Sequence, residues 1–275
     1  MLVLIKGAGD LATGTAVRLR RAGLDLVMTE VERPTAVRRT VAFSQCMYDG
    51  TAAVEGLTAR RASGKAEALA ALARGEIPVL CDPGAEIRKE LPFDGVVDAI
   101  LAKRNLGTAI TDAPIVLALG PGFTAGVDCH GVVETKRGHD LGRLILEGSA
   151  IPNTGVPGNI GGYTSQRVIH APASGPMAFV RDSSGAAIDI GAVVEQGQVI
   201  AMVGGVPVLA SLSGVLRGLI REGYPVTQGL KIADIDPRLE QISNCDTVSD
   251  KARAIAGGVV EALLARAGQA GIALL

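Results

Sequence analysis

The sequence predicts an α/β protein: a mostly parallel sheet with its helices over residues 1–165, a small all-β module over 166–236, and a helical segment over 237–275 that returns to the first domain. Three observations carry this. Short aliphatic runs alternate with helical patterns up to about residue 120. Two stretches of the second half repeat at a fixed offset. Glycine is abundant, 36 of 275 residues, against 3% aromatics, so the core must be aliphatic and the backbone must turn tightly.

The chain opens on LVLI (Leu2 to Ile5), an apolar run that reads as a buried parallel strand, followed at once by Lys6-Gly7-Ala8-Gly9-Asp10-Leu11-Ala12. From Leu11 to Arg21, Ala12, Ala16 and Leu19 fall on one helical face and the arginines largely on the other. A second strand, LDLVMTE, ends at Glu30. Gly7, Gly9 and Ala12 thus stand at the spacing G-x-G-x-x-A, with an acid about 20 residues further on, the fingerprint of a Rossmann-like nucleotide-binding unit. The physical logic is specific to each residue. Gly7 makes the tight turn, Gly9 admits a phosphate to the backbone, Ala12 lets helix and strand approach, and Glu30 accepts hydrogen bonds from a ribose. Asp10 is the misfit, because a carboxylate at the mouth of a phosphate cradle repels the anion unless a cation compensates it.

Next come a hairpin in GTAAVEGLTARRAS, an Ala/Leu-rich helix in GKAEALAALARG, and strands in IPVLCDPG, GVVDAILA and IVLALG. In such a sheet ligands bind outside the strand carboxyl ends. That rim collects Gly7 to Asp10, Glu30, Asp82-Pro83, Lys103-Arg104-Asn105 and Gly120-Pro121-Gly122. Lys136, Arg137 and Arg143 would add positive charge beside Arg104, which suits a phosphate-bearing ligand. His130 and His139 read equally as functional groups, acid/base groups or metal ligands, or as structural hydrogen-bonding groups. His139-Asp140 does not make a hydrolytic triad, because chain neighbours seldom orient one another and no Ser stands in a G-x-S-x-G elbow.

In the second half, IGAVVEQGQVIAMV (Ile190 to Val203) superposes on EGYPVTQGLKIADI (Glu222 to Ile235) at an offset of 32, and APASG at Ala171 pairs with ASLSG at Ala210. Two such halves resemble the barrel-sandwich hybrid of biotinyl/lipoyl-type domains. Carriers of that type present a modified Lys at the connecting hairpin; here the connection, Val203 to Ser211, has none, so a docking surface or scaffold is expected instead. The Gly/Pro/Asn-rich stretch Glu147 to Arg167 reads as a loop over the site. Ser249 or Asp250 caps a final helix.

The composition excludes other classes. Charge is balanced, 27 Lys+Arg against 28 Asp+Glu, so no global field attracts nucleic acid. The four cysteines are far apart with no C-x-x-C pair, which argues against a zinc knuckle or a small disulfide framework and for reduced thiols in a cytoplasm; no metal is expected. No signal peptide is expected, and the most apolar late segment carries Glu261 and Arg266, so no membrane span is expected either.

Taken together, KGAGDLATGTAVRLRRAG, VMTEVERPTAVRRTVAFS, AKRNLGT, GPGFTAGVDCHGVVETKRGHDLGR, PNTGVPGNIGG and GVLRGLIREGYPVTQGLKIADIDPR resemble the selenium-dependent molybdenum hydroxylase system proteins, the YqeB family. The resemblance implies a partner of molybdenum hydroxylases or of their maturation machinery, handling a nucleotide or molybdopterin-type ligand for cofactor maturation or delivery. It carries no catalytic residues. The expected ligand-binding set is Gly7, Gly9, Asp10, Glu30, Arg104, Asn105, Gly120, Gly122, Lys136, Arg137 and His139. The alternatives are an NAD(P)-dependent oxidoreductase and a non-catalytic scaffold, and homo-oligomerisation stays open.

Overall fold

The computed structural model describes residues 1–182 and 184–273 and divides into two compact units. Unit 1 comprises Met1–Pro34, Val41–Thr154 and Val248–Leu275; unit 2 comprises Thr35–Thr40 and Gly155–Thr247. The boundaries differ from a division at 165 and 236. Residues 35–40 join unit 2 because the Val37 carbonyl accepts the Leu219 N–H at 2.9 Å. The Arg38 guanidinium donates to the carbonyls of Asn244 and Thr247, and the Thr40 hydroxyl to that of Cys245, which ties 237–247 to the same unit.

Unit 1 runs β1 (Leu2–Lys6), α1 (Asp10–Arg21), β2 (Asp25–Glu30), the short α2 (Cys46–Asp49), β3 (Thr51–Val54), β4 (Leu57–Ala62), α3 (Lys65–Ala73), β5 (Ile77–Cys81), β6 (Gly95–Asp98), β7 (Ile115–Leu119), β8 (Thr124–Ala125), β9 (Gly131–Val133), β10 (Leu144–Ile145), β11 (Gly148–Ser149) and α4 (Asp250–Ala270). Nine strands form one mixed sheet in the order β10-β9-β7-β6-β1-β2-β5-β4-β3. From β9 to β4 all neighbours are parallel; β10 and β3 close the edges antiparallel. Successive side chains of β1 enter different cores: Val3 and Ile5 pack with α1 and α4, Leu4 with Ala68 of α3 and with Ile87 and Phe93. Burial on both faces is why the central strands read as unbroken apolar runs. α4 starts where the Ser249 hydroxyl accepts the Ala252 N–H at 3.1 Å, and it lies along α1.

Unit 2 contains β12 (Val168–His170), β13 (Gly175–Phe179), β14 (Val193–Val194), β15 (Val199–Val203), β16 (Val206–Leu209), β17 (Gly214–Leu219), β18 (Pro225–Val226) and β19 (Lys231–Asp236). They form two four-stranded sheets, β12-β19-β17-β14 and β16-β15-β13-β18. Exchanging each strand for the one four places away in the chain turns one order into the other, so the sequence repeat is a two-fold repeat of topology. The hydrogen bonds repeat as well: the Gln196 N–H donates to the Ser213 hydroxyl and the Gln228 N–H to that of Ser174, both at 2.9 Å. Each sheet takes two strands from each half, so neither half buries its apolar face without the other.

Candidate functional site at the β1/β6 switch

The strand order reverses direction at β1: β2 and β5 follow on one side, β6, β7 and β9 on the other. The turns that follow β1 and β6 therefore meet at the carboxyl edge of the sheet, the edge at which open α/β sheets bind ligands. Gly7 leaves β1 at φ 93°, its N–H donating to the Thr29 carbonyl at 2.8 Å, and a Cβ on it would stand 3.0 Å from the Ala99 carbonyl oxygen. A side chain there is excluded by both conformation and space. Gly9 caps α1 in an extended conformation, no side chain caps that helix start, and the space where a Gly9 Cβ would point is open. Asp10 is the first residue of α1 and is half-buried. The Ser44 N–H donates to the Ala8 carbonyl at 2.8 Å, and the Ser44 hydroxyl is fully buried without a hydrogen-bond partner.

Glu30 closes β2 with one carboxylate oxygen on the Ala8 N–H at 2.9 Å and the other on the Val31 N–H at 2.8 Å. Burial pushes its carboxyl above the ordinary range, and the hydrogen bonds from Val31 and Ala8 offset this only in part. Glu30 thus fixes the glycine turn from within, while each oxygen keeps accepting capacity for a ligand hydroxyl.

The loop after β6 passes over Gly7 and reaches Gly122: a Cβ on Gly122, at φ 110°, would stand 2.5 Å from the Arg104 nitrogen. Gly122 therefore serves the contact of two loops, and Arg104 is exposed on the rim. The Asn105 side chain accepts the N–H groups of Gly107 and Thr108 and donates to the Thr108 carbonyl at 2.8 Å, which folds this loop on itself. Leu101 and Lys103, both at φ 61°, are left-handed without being glycine, at a cost of about 1–2 kcal/mol each. Such outliers cluster at ligand-binding segments.

The remaining expected residues group elsewhere. Gly120 is buried against Thr135 after β9. Lys136 is exposed, and its N–H joins those of Thr135 and Ile151 on the buried Glu134 carboxylate. Arg137 makes a two-pronged ion pair with Asp250 at the start of α4, at 2.8 and 2.9 Å, so its charge is already balanced. His139 is exposed. His130 is structural: its Nδ1 accepts the Val116 N–H at 3.0 Å, which places its proton on Nε2.

Over 263 residues, 96% of this chain, the sequence is 53% identical to the "Uncharacterized protein YqeB" of Escherichia coli (strain K12). The chain is a relative of YqeB. It spans about half, 47%, of the YqeB sequence. No family model matches the chain, and no solved structure matches it.

The likeness to YqeB names no activity, so residue roles rest on geometry. Four residues at the switch escape motif reading: Lys6, Asp98, Thr108 and Ser44. Lys6 and Asp98 each end an apolar strand with a charge, and a charge in the last position of a buried strand is the signal that finds them. Thr108 and Ser44 carry no such signal, because only the folded loops bring them to the strand ends. Among the described residues no group of three or more His, Cys, Asp or Glu is arranged to hold a metal ion, and no helix is long and apolar enough to cross a membrane.

Proposed function

We propose that the chain is an accessory protein of a selenium-dependent molybdenum hydroxylase system, in which unit 1 is a Rossmann-like domain that binds a nucleotide or molybdopterin-type phosphate ligand for cofactor maturation or delivery. The observation that carries the ligand reading is the β1/β6 switch point, where an uncapped start of α1, an open Gly9 and the partnerless hydroxyl of Ser44 lie together. The helix start supplies N–H groups and a positive dipole end to a phosphate. Glu30 is placed to accept a ribose or pterin hydroxyl, and Arg104 to meet phosphate charge from the rim. The system-level part rests on the resemblance of the sequence motifs to those of that family. Unit 2, with its two-fold repeat of interleaved strands, is read as a barrel-sandwich hybrid that docks the hydroxylase or its maturation machinery. A cytoplasmic setting accords with these partners.

One observation favours a second reading. Glu30 at the end of β2, bonded to the turn between Gly7 and Gly9, also fits an NAD(P)-dependent oxidoreductase. A thermal-shift screen of the full chain against CTP, CDP, ATP, NAD(H), NADP(H) and molybdopterin forms separates the two, since a ligand that binds only the folded state raises the melting temperature. Stabilisation by cytidine or pterin ligands, lost in Gly9→Asp, supports cofactor handling. Stabilisation confined to NAD(P) supports the dehydrogenase, and none by any ligand leaves a scaffold.

A further inference from the structure

The least expected group at the switch is a buried ion pair. Lys6 and Asp98 are paired residues of β1 and β6, 4% and 1% exposed, with Nζ and Oδ2 3.5 Å apart. The Thr108 hydroxyl stands between them, accepting from Lys6 and donating to Asp98, each at 2.5 Å. Among the described ion pairs of unit 1 this is the one buried on both sides. Burying such a pair stabilises a fold little, because desolvation offsets the attraction, and an apolar pair of similar size often does as well. Its presence at the carboxyl edge of the sheet therefore asks for another reason.

Three features supply one. An ammonium carries three N–H donors, and Thr108 accepts only one of them at hydrogen-bonding distance. Lys6 also ends β1 and leads directly into the Gly7 turn, so it stands at the carboxyl edge of the sheet on which the expected ligand lies. Thr108 belongs to the loop that carries the left-handed Leu101 and Lys103, two of the four non-glycine residues at positive φ among the described residues.

Resting on the phosphate-ligand reading above, we propose that Lys6 is the residue that contacts a phosphoryl oxygen of the ligand, with Asp98 and Thr108 positioning its ammonium when no ligand is bound. A phosphoryl oxygen takes over from Asp98 as the anionic partner of Lys6. Asp98 therefore competes with the ligand, and the two members of one ion pair have opposite effects on affinity. A purely structural pair would not behave so.

The test is calorimetric titration of the full chain with CTP, ATP and NAD, each beside its phosphate-free counterpart cytidine, adenosine or nicotinamide riboside. Lys6→Met alone leaves a buried carboxylate unpaired and endangers folding, so it is made together with Asp98→Asn; Asp98→Asn is also made alone. The double variant is expected to bind the phosphate-bearing probe about tenfold or more weakly, the loss of a charge-assisted hydrogen bond, with the phosphate-free counterpart unchanged. Asp98→Asn alone should bind the phosphate-bearing probe as tightly as wild type or more tightly. Wild-type binding that Gly9→Asp abolishes and the double variant keeps within twofold overturns the role of Lys6 and leaves the ligand reading standing. Weaker binding in Asp98→Asn alone also overturns it, whether or not the double variant folds. A wild-type chain that binds none of the three probes removes both.

Discussion

Two adjacent glycines of α4 give the sharpest test of how the last helix is seated in unit 1. A Cβ on Gly257 would meet nothing within 4 Å. A Cβ on Gly258 would stand 2.2 Å from the Gly142 carbonyl oxygen and 2.9 Å from Val133 Cγ1. Gly142 cannot retreat freely, because it is itself at φ 83° with its own Cβ position 2.5 Å from the Ala254 carbonyl oxygen. Intrinsic propensity favours Ala over Gly in a helix interior by about 0.8–1 kcal/mol at either position. Gly257→Ala should therefore stabilise by up to about 1 kcal/mol. At Gly258 the added methyl collides with backbone, overpacking costs about 1–3 kcal/mol, and the gain in propensity is outweighed. The net loss should be about 1–2 kcal/mol, and each kcal/mol moves the midpoint by about 2–4 °C in a unit of this size. Thermal melts of the full chain, with amide exchange in α1 and α4 to assign the transition to unit 1, measure both. Equal stabilisation by the two substitutions would refute the packing of α4 on the turn at Gly142.

Other predictions follow from titrating and buried groups. Burial, and then the positive charge of Arg266, lower the His130 titration below its ordinary value of about 6.5, and protonation at Nδ1 would cost the hydrogen bond from the Val116 N–H. The unfolded chain therefore binds this proton more readily, so the contribution is complete above about pH 6.5 and lost as pH falls through the folded value. His130→Asn, which keeps an acceptor and does not titrate, should flatten that part of the urea stability profile between pH 7.5 and 5.5. Asp236 is fully buried between Arg217 and Arg238. Burial raises its carboxyl, but the hydrogen bonds from Arg238 and Arg217 win and hold it below the ordinary range. Its contribution is present above about pH 3.9 and lost as pH falls through the lower folded value. Asp236→Ala leaves buried guanidinium charge uncompensated and should cost about 3–5 kcal/mol, read as loss of amide-exchange protection in β17 and β19. Burial pushes the thiols of Cys46 and Cys129 up to about 12 and about 11 and raises that of Cys245, whereas Cys81 is exposed. Mass spectrometry after iodoacetamide at pH 8 should find Cys81 alkylated first, and the other three only in denaturant.

Much of the site was written in local sequence. The turn at Gly7 and Gly9 follows from a buried strand running into glycine, and Glu30 from the end of the next strand, because a strand–turn–helix unit is fixed by residues close along the chain. Arg104, Asn105 and Gly122 fall near one another at the strand carboxyl ends because parallel strands place all those ends together. The charge of Arg137 could not be followed in this way: its partner Asp250 lies 113 residues away, at the start of a helix whose seat depends on the packing of α1. The role of His130 depends on the pairing of β7 with β9, which brings the Val116 N–H of β7 to its Nδ1.

By itself the sequence determined the alternation of strands and helices, the glycine turn with its acid, and the two-fold repeat of the second half, each a matter of spacing within some tens of residues. Only the tertiary structure decided the order of the strands, and with it the reversal at β1. It alone placed residues 35–40 with unit 2 and set Lys6 against Asp98 and Thr108, 92 and 102 residues further along. Periodicity says which face of an element is buried but not what covers it; the partner of a buried charge is chosen by the packing of distant segments.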